Sequence, residues 1–160
     1  MKKEPYVGVV GPSEASEHER ALAYAVGRRV ARIGGVVVCG GLGGVMEAAA
    51  RGAREADPPG QTVGILPGTD RSAGNPYLTV AVATGLGELR NGVLVRSCDG
   101  VVAVGGSAGT LIEMAYALRA GLPVAVLHGW TIVDSVGDLV VGFIVAATAE
   151  EAVRAVIGAE

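Results

Sequence analysis

Two charged residues, Arg90 and Glu113, lie next to glycine-rich segments and are the first candidates for chemistry. The pattern places Arg90 in the first turn of one predicted helix and Glu113 in the first turn of the next. A carboxylate near a helix N-terminus is stabilised by about 0.3–1 kcal/mol when exposed, and a nearby guanidinium would keep it ionised at neutral pH. The simpler alternatives are a surface ion pair for Arg90 and a helix-dipole contact for Glu113.

Glycine clusters supply the second candidate feature. The 26 glycines are about twice the usual share and concentrate in turns that start at Gly11, Gly40 and Gly105. Glycine lets the backbone approach a ligand closely, and helix N-termini offer free N–H donors, so converging turns predict an anion site. The alternative is that these glycines only tighten the turns. The candidate phosphate-binding residues are Gly11, Ser13, Gly40, Gly41, Gly43, Gly44, Gly105, Gly106, Ser107, Gly109 and Thr110.

Several chemistries are excluded by the residue inventory. Lys2 and Lys3 are the only lysines, so neither a P-loop nor a Schiff-base lysine is present. A dinucleotide fingerprint is absent after the first strand. The G-x-S-x-G pattern around Ser107 lacks the acid and histidine of a triad in the expected order. His18 and His128 are isolated in the sequence, and we expect no metal site.

The elements that position these residues follow an alternation of short apolar runs with helical patterns. It predicts an α/β fold over residues 1–160, a single three-layer, Rossmann-like domain with a doubly wound, mainly parallel sheet. The predicted strands are 6–10, 36–39, 62–66, 78–82, 100–104, 123–127 and a last one near 140–145. The predicted helices follow Ser16, cover 45–56, 87–97 and 108–120, and follow Thr148. The usual strand order makes 6–10 and 100–104 neighbours, so their turns face each other. We expect residues 67–76 to form a loop that acts as a lid.

Composition limits partners and location. The net charge is −3 and no basic run exists beyond the two N-terminal lysines, so we expect no nucleic-acid partner. The longest charge-free apolar run, 139–149, is too short to span a bilayer, and we expect no membrane contact. Cys39 and Cys98 form no recognisable disulfide framework. A reducing cytoplasm is the expected compartment.

The motifs resemble those of the LOG (Lonely Guy) proteins, which are cytokinin-nucleotide phosphoribohydrolases once mislabelled lysine decarboxylases. The segment Gly40 to Met46 is similar to their first glycine motif, and Gly105 to Glu113 to their second. A closer resemblance is to a sister group that includes molybdenum cofactor carrier proteins, with the DNA-processing Smf proteins as distant relatives. Their Arg-Asn and Gly-Thr-x-x-Glu patterns read here as Arg90-Asn91 and Gly109 to Glu113.

The resemblance implies catalytic roles for Arg90 and Glu113, and it adds Met46 and Asn91 to the ligand-binding set. Ser107 replaces a glycine and Gly105 a proline of the LOG motif, which alters the pocket but spares the catalytic pair. The resemblance also implies a homo-oligomer, a dimer or a tetramer.

Two functions follow from the motifs and the resemblance. The first is hydrolysis of the N-glycosidic bond of a nucleoside 5′-monophosphate without any cofactor, through an oxocarbenium-like state that Glu113 would stabilise. Arg90 would then position the phosphate or assist the leaving base. The second is a non-catalytic carrier or sensor of molybdenum cofactor or a nucleotide. The presence of both charged residues favours the enzyme at this stage.

Overall fold

Seven strands and five α-helices alternate along the chain in the computed structural model, which describes residues 3–158. The strands are β1 (Tyr6–Val10), β2 (Val36–Cys39), β3 (Gln61–Leu66), β4 (Val80–Ala83), β5 (Gly100–Val104), β6 (Val124–Leu127) and β7 (Phe143–Val145). The helices are α1 (Glu17–Arg32), α2 (Val45–Arg54), α3 (Arg90–Arg96), α4 (Ala108–Arg119) and α5 (Ala149–Ile157). Short 3₁₀ turns cover Arg71–Ala73 and Gly87–Leu89.

All seven strands pair in parallel in the order β4-β3-β2-β1-β5-β6-β7. Their valine-rich runs suit a sheet covered on both faces, because β-branched side chains pack well on a pleated surface. Helices α1, α2 and α5 cover one face, and α3 and α4 cover the other. The predicted three-layer α/β fold and the pairing of β1 with β5 are therefore confirmed.

Helices α1 and α2 touch through their backbones. Gly27 of α1 lies against the carbonyl group of Ala49, and Gly52 of α2 lies against the carbonyl group of Tyr24. A Cβ atom at either glycine would overlap the facing backbone. This contact holds the two helices, and the strand ends that precede them, at a fixed separation.

Side-chain caps start two helices where the sequence predicts them. The Glu19 N–H donates to Ser16 Oγ at 3.1 Å, and the Ser16 N–H donates to Glu19 Oε2 at 2.8 Å, which completes the capping box of α1. Thr148 Oγ1 accepts from the Glu151 N–H at 3.2 Å at the start of α5. These bonds satisfy backbone donors that the helices themselves leave free.

Element ends differ from the predictions by two or more residues in four places, and backbone geometry explains two of them. The predicted helix 87–97 is a 3₁₀ turn followed by α3, because Gly87 has φ +57° and cannot continue a regular helix. The last strand begins only at Phe143, since Gly142 has φ +87°. The edge strand is Val80–Ala83 rather than 78–82, and α2 ends at Arg54 rather than 56.

The loop after β3 lies against the turn after β2. The Asn75 N–H donates to the Gly41 carbonyl at 2.8 Å, and its side-chain amide donates to the Leu42 carbonyl at 3.0 Å. The proposed role of this loop as a lid stays a prediction. Within residues 3–158, no helix combines the length and the apolar character needed to cross a bilayer.

Candidate functional site

A cleft of about 370 Å³ opens at the carboxyl edge of the sheet, where β1 and β5 lie side by side. Ligands of doubly wound sheets bind at this position. The residues that line it are Gly11, Ser13, Leu42, Met46, Pro67, Gly87, Glu88, Arg90, Asn91, Ser107, Gly109, Thr110 and Glu113. A larger hollow of about 770 Å³ lies around Tyr6 and Asp99, at the amino edge. We assign the site to the smaller cleft because buried charged side chains face it.

Arg90 is buried at the start of α3 and is anchored on one side only. One guanidinium nitrogen, Nη1, donates to the Ile65 carbonyl at 2.7 Å, while Nε has no hydrogen-bond partner in the described part of the chain. Gly40 makes the space for this group, since any side chain there would collide with the guanidinium. Burial lowers the pKa of Arg90, and the nearby Glu113 partly opposes that shift. The arginine keeps hydrogen-bonding capacity for a ligand.

Glu113 lies in the second turn of α4 and not in the first turn, as the sequence suggested, because the helix begins at Ala108. Its side chain is 8% exposed. Burial raises the pKa of this carboxyl to about 7, although the Arg90 charge lowers it. The expectation that Arg90 keeps Glu113 fully ionised at neutral pH is therefore wrong, because desolvation outweighs the arginine. No oxygen of Glu113 lies within 4.0 Å of a cationic nitrogen in the described part of the chain.

The N-terminus of α4 forms one wall of the cleft. Ser107 is the N-cap, and its Oγ accepts the Thr110 N–H at 3.3 Å and lies 2.9 Å from Thr110 Oγ1. The Thr110 N–H, which we expected to hold a phosphate, thus already donates a hydrogen bond within the protein. Gly109 faces open space, since a Cβ atom there would meet only Ser107 Oγ, at 3.8 Å. The donors left for an anion are the N–H groups at Ala108 and Gly109, at the positive end of the helix.

Six predicted glycines do not line the cleft, and all of these except Gly43 pack closely against protein: Gly40, Gly41, Gly43, Gly44, Gly105 and Gly106. Gly44, with φ +64°, lies against the backbone carbonyls of Pro12 and Ser13. Gly105, with φ +68°, lies against the Glu19 carboxylate. Their missing side chains bring the three turns together. The predicted residues that do line the cleft are Gly11, Ser13, Met46, Arg90, Asn91, Ser107, Gly109, Thr110 and Glu113.

Sequence reasoning missed four lining residues and one contact. Leu42, Pro67, Gly87 and Glu88 also line the cleft. For Pro67 a signal existed, since it directly follows β3 and so lies at the same sheet edge. The two histidines are not isolated, because the His18 and His128 rings meet edge to face with centroids 4.8 Å apart. No group of three or more metal-ligating side chains occurs among residues 3–158.

The fold and the cleft define a Rossmann-like α/β domain with a cleft lined by charged residues at the carboxyl edge of a parallel sheet. Within that class, the chain belongs to the SLOG cluster4 family, whose model matches residues 4–156. The resemblance inferred from the glycine and arginine motifs is thereby confirmed.

Similar proteins cover nearly the whole chain. The molybdenum cofactor binding protein of Rippkaea orientalis is 33% identical, with 96% of each chain covered and a TM-score of 0.84. The molybdenum cofactor carrier protein of Chlamydomonas reinhardtii is 32% identical, with 96% of each chain covered and a TM-score of 0.81. A protein of Archaeoglobus fulgidus described as uncharacterized is 39% identical over 148 residues, 92% of this chain and 91% of that one.

A more distant likeness links the chain to DNA processing protein A of Streptococcus pneumoniae. The TM-score is 0.70 at 19% identity, with 94% of this chain and 61% of that chain covered. At this identity the likeness shows a common fold only.

Proposed function

We propose that this protein binds and carries a small phosphorylated ligand, either molybdenum cofactor or a nucleotide, in the cleft between β1 and β5. The likeness to a molybdenum cofactor binding protein and a molybdenum cofactor carrier protein over 96% of each chain supports a carrier more than a hydrolase. The enzymatic function that the sequence alone favoured becomes the second candidate.

Unpartnered polar atoms at the cleft are the observation that carries this proposal. Arg90 Nε and Asn91 Oδ1 are buried without hydrogen-bond partners among residues 3–158, and the two residues are only 9% and 7% exposed. Leaving such a group unpaired costs about 1–3 kcal/mol, so a ligand that pairs with it gains that energy. Arg90 suits a phosphate oxygen, and Asn91 Oδ1 suits an N–H or O–H donor of the same ligand.

The charges of the cleft fit an anion that binds together with a proton. Arg90 is the one cation in the lining, against the carboxyls of Glu88 and Glu113. Because burial raises the pKa of Glu113 to about 7, this carboxyl takes up a proton easily when a negative ligand approaches. A protonated Glu113 also becomes a hydrogen-bond donor to a phosphate oxygen.

The second candidate is hydrolysis of the N-glycosidic bond of a nucleoside 5′-monophosphate. The observation in its favour is that Glu113 and Arg90 line the same cleft, as the resemblance to LOG proteins implies. An ionised Glu113 would stabilise the developing positive charge of the sugar, and Arg90 would hold the phosphate. The free base and ribose 5-phosphate would be the products, and no cofactor would be needed.

Two measurements separate these functions. Mass spectrometry of the purified protein should identify a co-purified phosphorylated pterin or nucleotide if the chain is a carrier. Incubation with a panel of nucleoside 5′-monophosphates should then release no free base. Base release that falls about 100- to 1000-fold in Glu113→Gln, with binding retained, would instead establish the hydrolase. Arg90→Ala should weaken ligand binding in either case.

We also propose that the chain forms a homo-oligomer through an apolar surface on α3, the 3₁₀ turn before it and α4. The surface consists of Leu86, Leu89, Val93, Ile112 and Tyr116, each more than 40% exposed. Contiguous apolar side chains of this kind are typical of protein interfaces. It adjoins the cleft, because Glu88 and Arg90 belong to the same segment.

Light scattering tests the assembly. Val93→Asp should convert a dimer or tetramer into monomers, because a charge would be buried in the interface. Val136→Asp is the control, since Val136 is 79% exposed in the loop between β6 and β7. A wild-type protein that is monomeric at micromolar concentration would contradict the proposal.

The remaining expectations concern location and macromolecular partners. The lack of a nucleic-acid partner stays a prediction, based on the net charge of −3. A cytoplasmic location also stays a prediction, based on two cysteines that form no recognisable disulfide framework. The fold shared with DNA processing protein A makes a direct test worthwhile. A gel-shift assay with single-stranded and duplex DNA at low salt should show no complex.

A further inference from the structure

We propose that Trp130 is the stacking surface for the planar ring of the ligand whose phosphate the cleft holds. The inference rests on the proposed function, because it names the part of the site that recognises the heterocycle. Pterin and nucleotide rings are both flat and aromatic, so one indole surface serves either ligand.

The segment after β6 places Trp130 close to a lining residue of the cleft, although Trp130 itself does not line it. Gly129 lies against the Gly105 carbonyl, and the pyrrole edge of the Trp130 indole lies against Gly106. A side chain at either glycine would collide with its neighbour. Gly106 directly precedes Ser107, the N-cap residue that lines the cleft. The indole therefore lies beside the helix terminus assigned to the phosphate.

Trp130 is held at this position while much of its ring stays in solvent. It is the one tryptophan of the chain, and 46% of it is exposed. Exposed aromatic surface next to a polar cleft suits stacking of a ligand ring.

The backbone before Trp130 is fixed in an unfavourable conformation. His128 has φ +50°, in the left-handed region that non-glycine residues rarely adopt. Its ring stacks edge to face on His18, in the first turn of α1, and both rings are exposed. Strained backbone that neighbouring contacts maintain is concentrated at ligand sites. The contact between His128 and α1 helps to fix the segment that carries Trp130.

A second arrangement would place the ring against Leu42 and Met46, which also line the cleft. These side chains offer apolar cover but no aromatic surface. The two arrangements differ in their effect on tryptophan emission, because only a ring stacked on Trp130 quenches it directly.

The experiment compares guanosine 5′-monophosphate with ribose 5-phosphate. Both carry the sugar phosphate, and the first adds a fused aminopyrimidinone ring like that of a pterin. Tryptophan emission is read by stopped flow immediately after mixing, before any turnover, and affinity is measured separately by equilibrium dialysis. We expect guanosine 5′-monophosphate to quench the emission, and ribose 5-phosphate to bind without quenching.

Substitutions separate stacking from packing. Trp130→Leu keeps apolar contact with Gly106 but loses the aromatic surface, and should weaken guanosine 5′-monophosphate binding about 10-fold or more. Trp130→Phe should recover most of that loss, and ribose 5-phosphate affinity should stay unchanged in both variants. Tyr6→Leu is the matched control, since Tyr6 is 40% exposed at the opposite edge of the sheet.

The outcomes separate this inference from the proposed function. Binding of guanosine 5′-monophosphate with wild-type affinity by Trp130→Leu, without quenching in the wild type, would overturn the stacking role and leave the ligand cleft intact. A Met46→Ala variant that weakens binding in that case would place the ring at Leu42 and Met46. If the wild type binds neither probe, this inference fails together with the nucleotide form of the proposed function, whereas molybdenum cofactor as the ligand is decided separately by mass spectrometry of the purified protein.

Discussion

The two glycine-rich turns have similar sequences, but the surroundings of their glycines differ. In the first glycine turn, Gly40–Gly44, protein atoms fill the space of most missing side chains, and α2 starts without a side-chain cap. In the second glycine turn, Gly105–Gly109, the first glycines also pack against protein. Gly109, however, faces the cleft and open space, and Ser107 caps α4.

This difference teaches that glycine content alone does not identify a ligand contact. A glycine is needed wherever a Cβ atom would meet something, and that neighbour is as easily backbone as ligand. In the first turn the glycines bring secondary-structure elements together. In the second turn one glycine leaves room for a molecule from outside. Substitutions that add a side chain at each turn test this distinction directly.

The largest expected effect is in the first turn. Gly44→Ala should lower the free energy of unfolding by about 4 kcal/mol, because it adds left-handed strain to an overlap with the Pro12 and Ser13 carbonyls. Gly43→Ala is the matched control, since its nearest neighbour would lie 3.7 Å away. Urea denaturation of both variants checks the prediction. Equal stability of the two variants would mean that the fold does not depend on close packing at Gly44.

The next largest effect on stability concerns the carboxyl groups of α4 and α2, the helices that follow the second and the first glycine turn. Burial raises the pKa of Glu113 to about 7, so the folded protein keeps this proton to a higher pH than the unfolded chain does. Stability therefore falls as pH rises from the ordinary carboxyl range to about 7. Glu113→Gln should raise the free energy of unfolding by about 2–3 kcal/mol at pH 8 and change it little at pH 5.

Glu47 supplies the control for that measurement. It lies in the first turn of α2, after the first glycine turn, and is only half-buried. Glu47→Gln should change stability by less than about 0.5 kcal/mol at either pH. If Glu47→Gln and Glu113→Gln changed the free energy of unfolding by similar amounts, the expected difference between the two carboxyl groups would be wrong.

At the second turn we expect an effect on binding rather than on folding. Gly109→Val should reduce affinity for the phosphorylated ligand at least about 10-fold, because the new side chain projects into the cleft. Stability should change by less than about 1 kcal/mol, since valine is no worse than glycine in a helix. Equilibrium dialysis and urea denaturation measure the two quantities. Undiminished affinity in a folded variant would place the anion elsewhere.

The smallest expected effect is the pH dependence of binding. A negative ligand raises the pKa of Glu113 further, so binding takes up a proton, and affinity should rise a few-fold as pH falls from 8 to 6. Titration calorimetry in buffers of different ionisation enthalpy measures the proton uptake. In Glu113→Gln only the titration of the ligand itself should remain. An unchanged pH dependence in that variant would exclude the carboxyl.

Much of the fold could be predicted from local pattern. Valine-rich runs bounded by glycine gave the strands, and the capping pairs at Ser16 and Thr148 gave two helix starts, because both signals act over a few residues. Element ends were less predictable where one glycine adopts a positive φ, as at Gly87 and Gly142. Such a conformation is decided by packing rather than by residue type.

Most residues that line the cleft could be predicted from the sequence, but the pKa of Glu113 could not. Arg90 and Glu113 were found through motif resemblance, and in the structure both residues line the same cleft. The pKa of Glu113 depends on how much protein surrounds it, which sequence spacing does not show. The contact between His18 and His128 joins residues far apart in the chain, so no local signal could have revealed it.

The pairing of β1 with β5 has a consequence for folding. Every other neighbouring pair of strands joins segments about 30 residues apart or fewer, whereas this pair joins residues roughly 90 positions apart. Closing so long a loop costs more chain entropy, so we expect the β1–β4 and β5–β7 halves to form before they join. The cleft lies across that junction. Ligand affinity would then appear only in the last step of folding, and a bound ligand would slow the separation of the two halves.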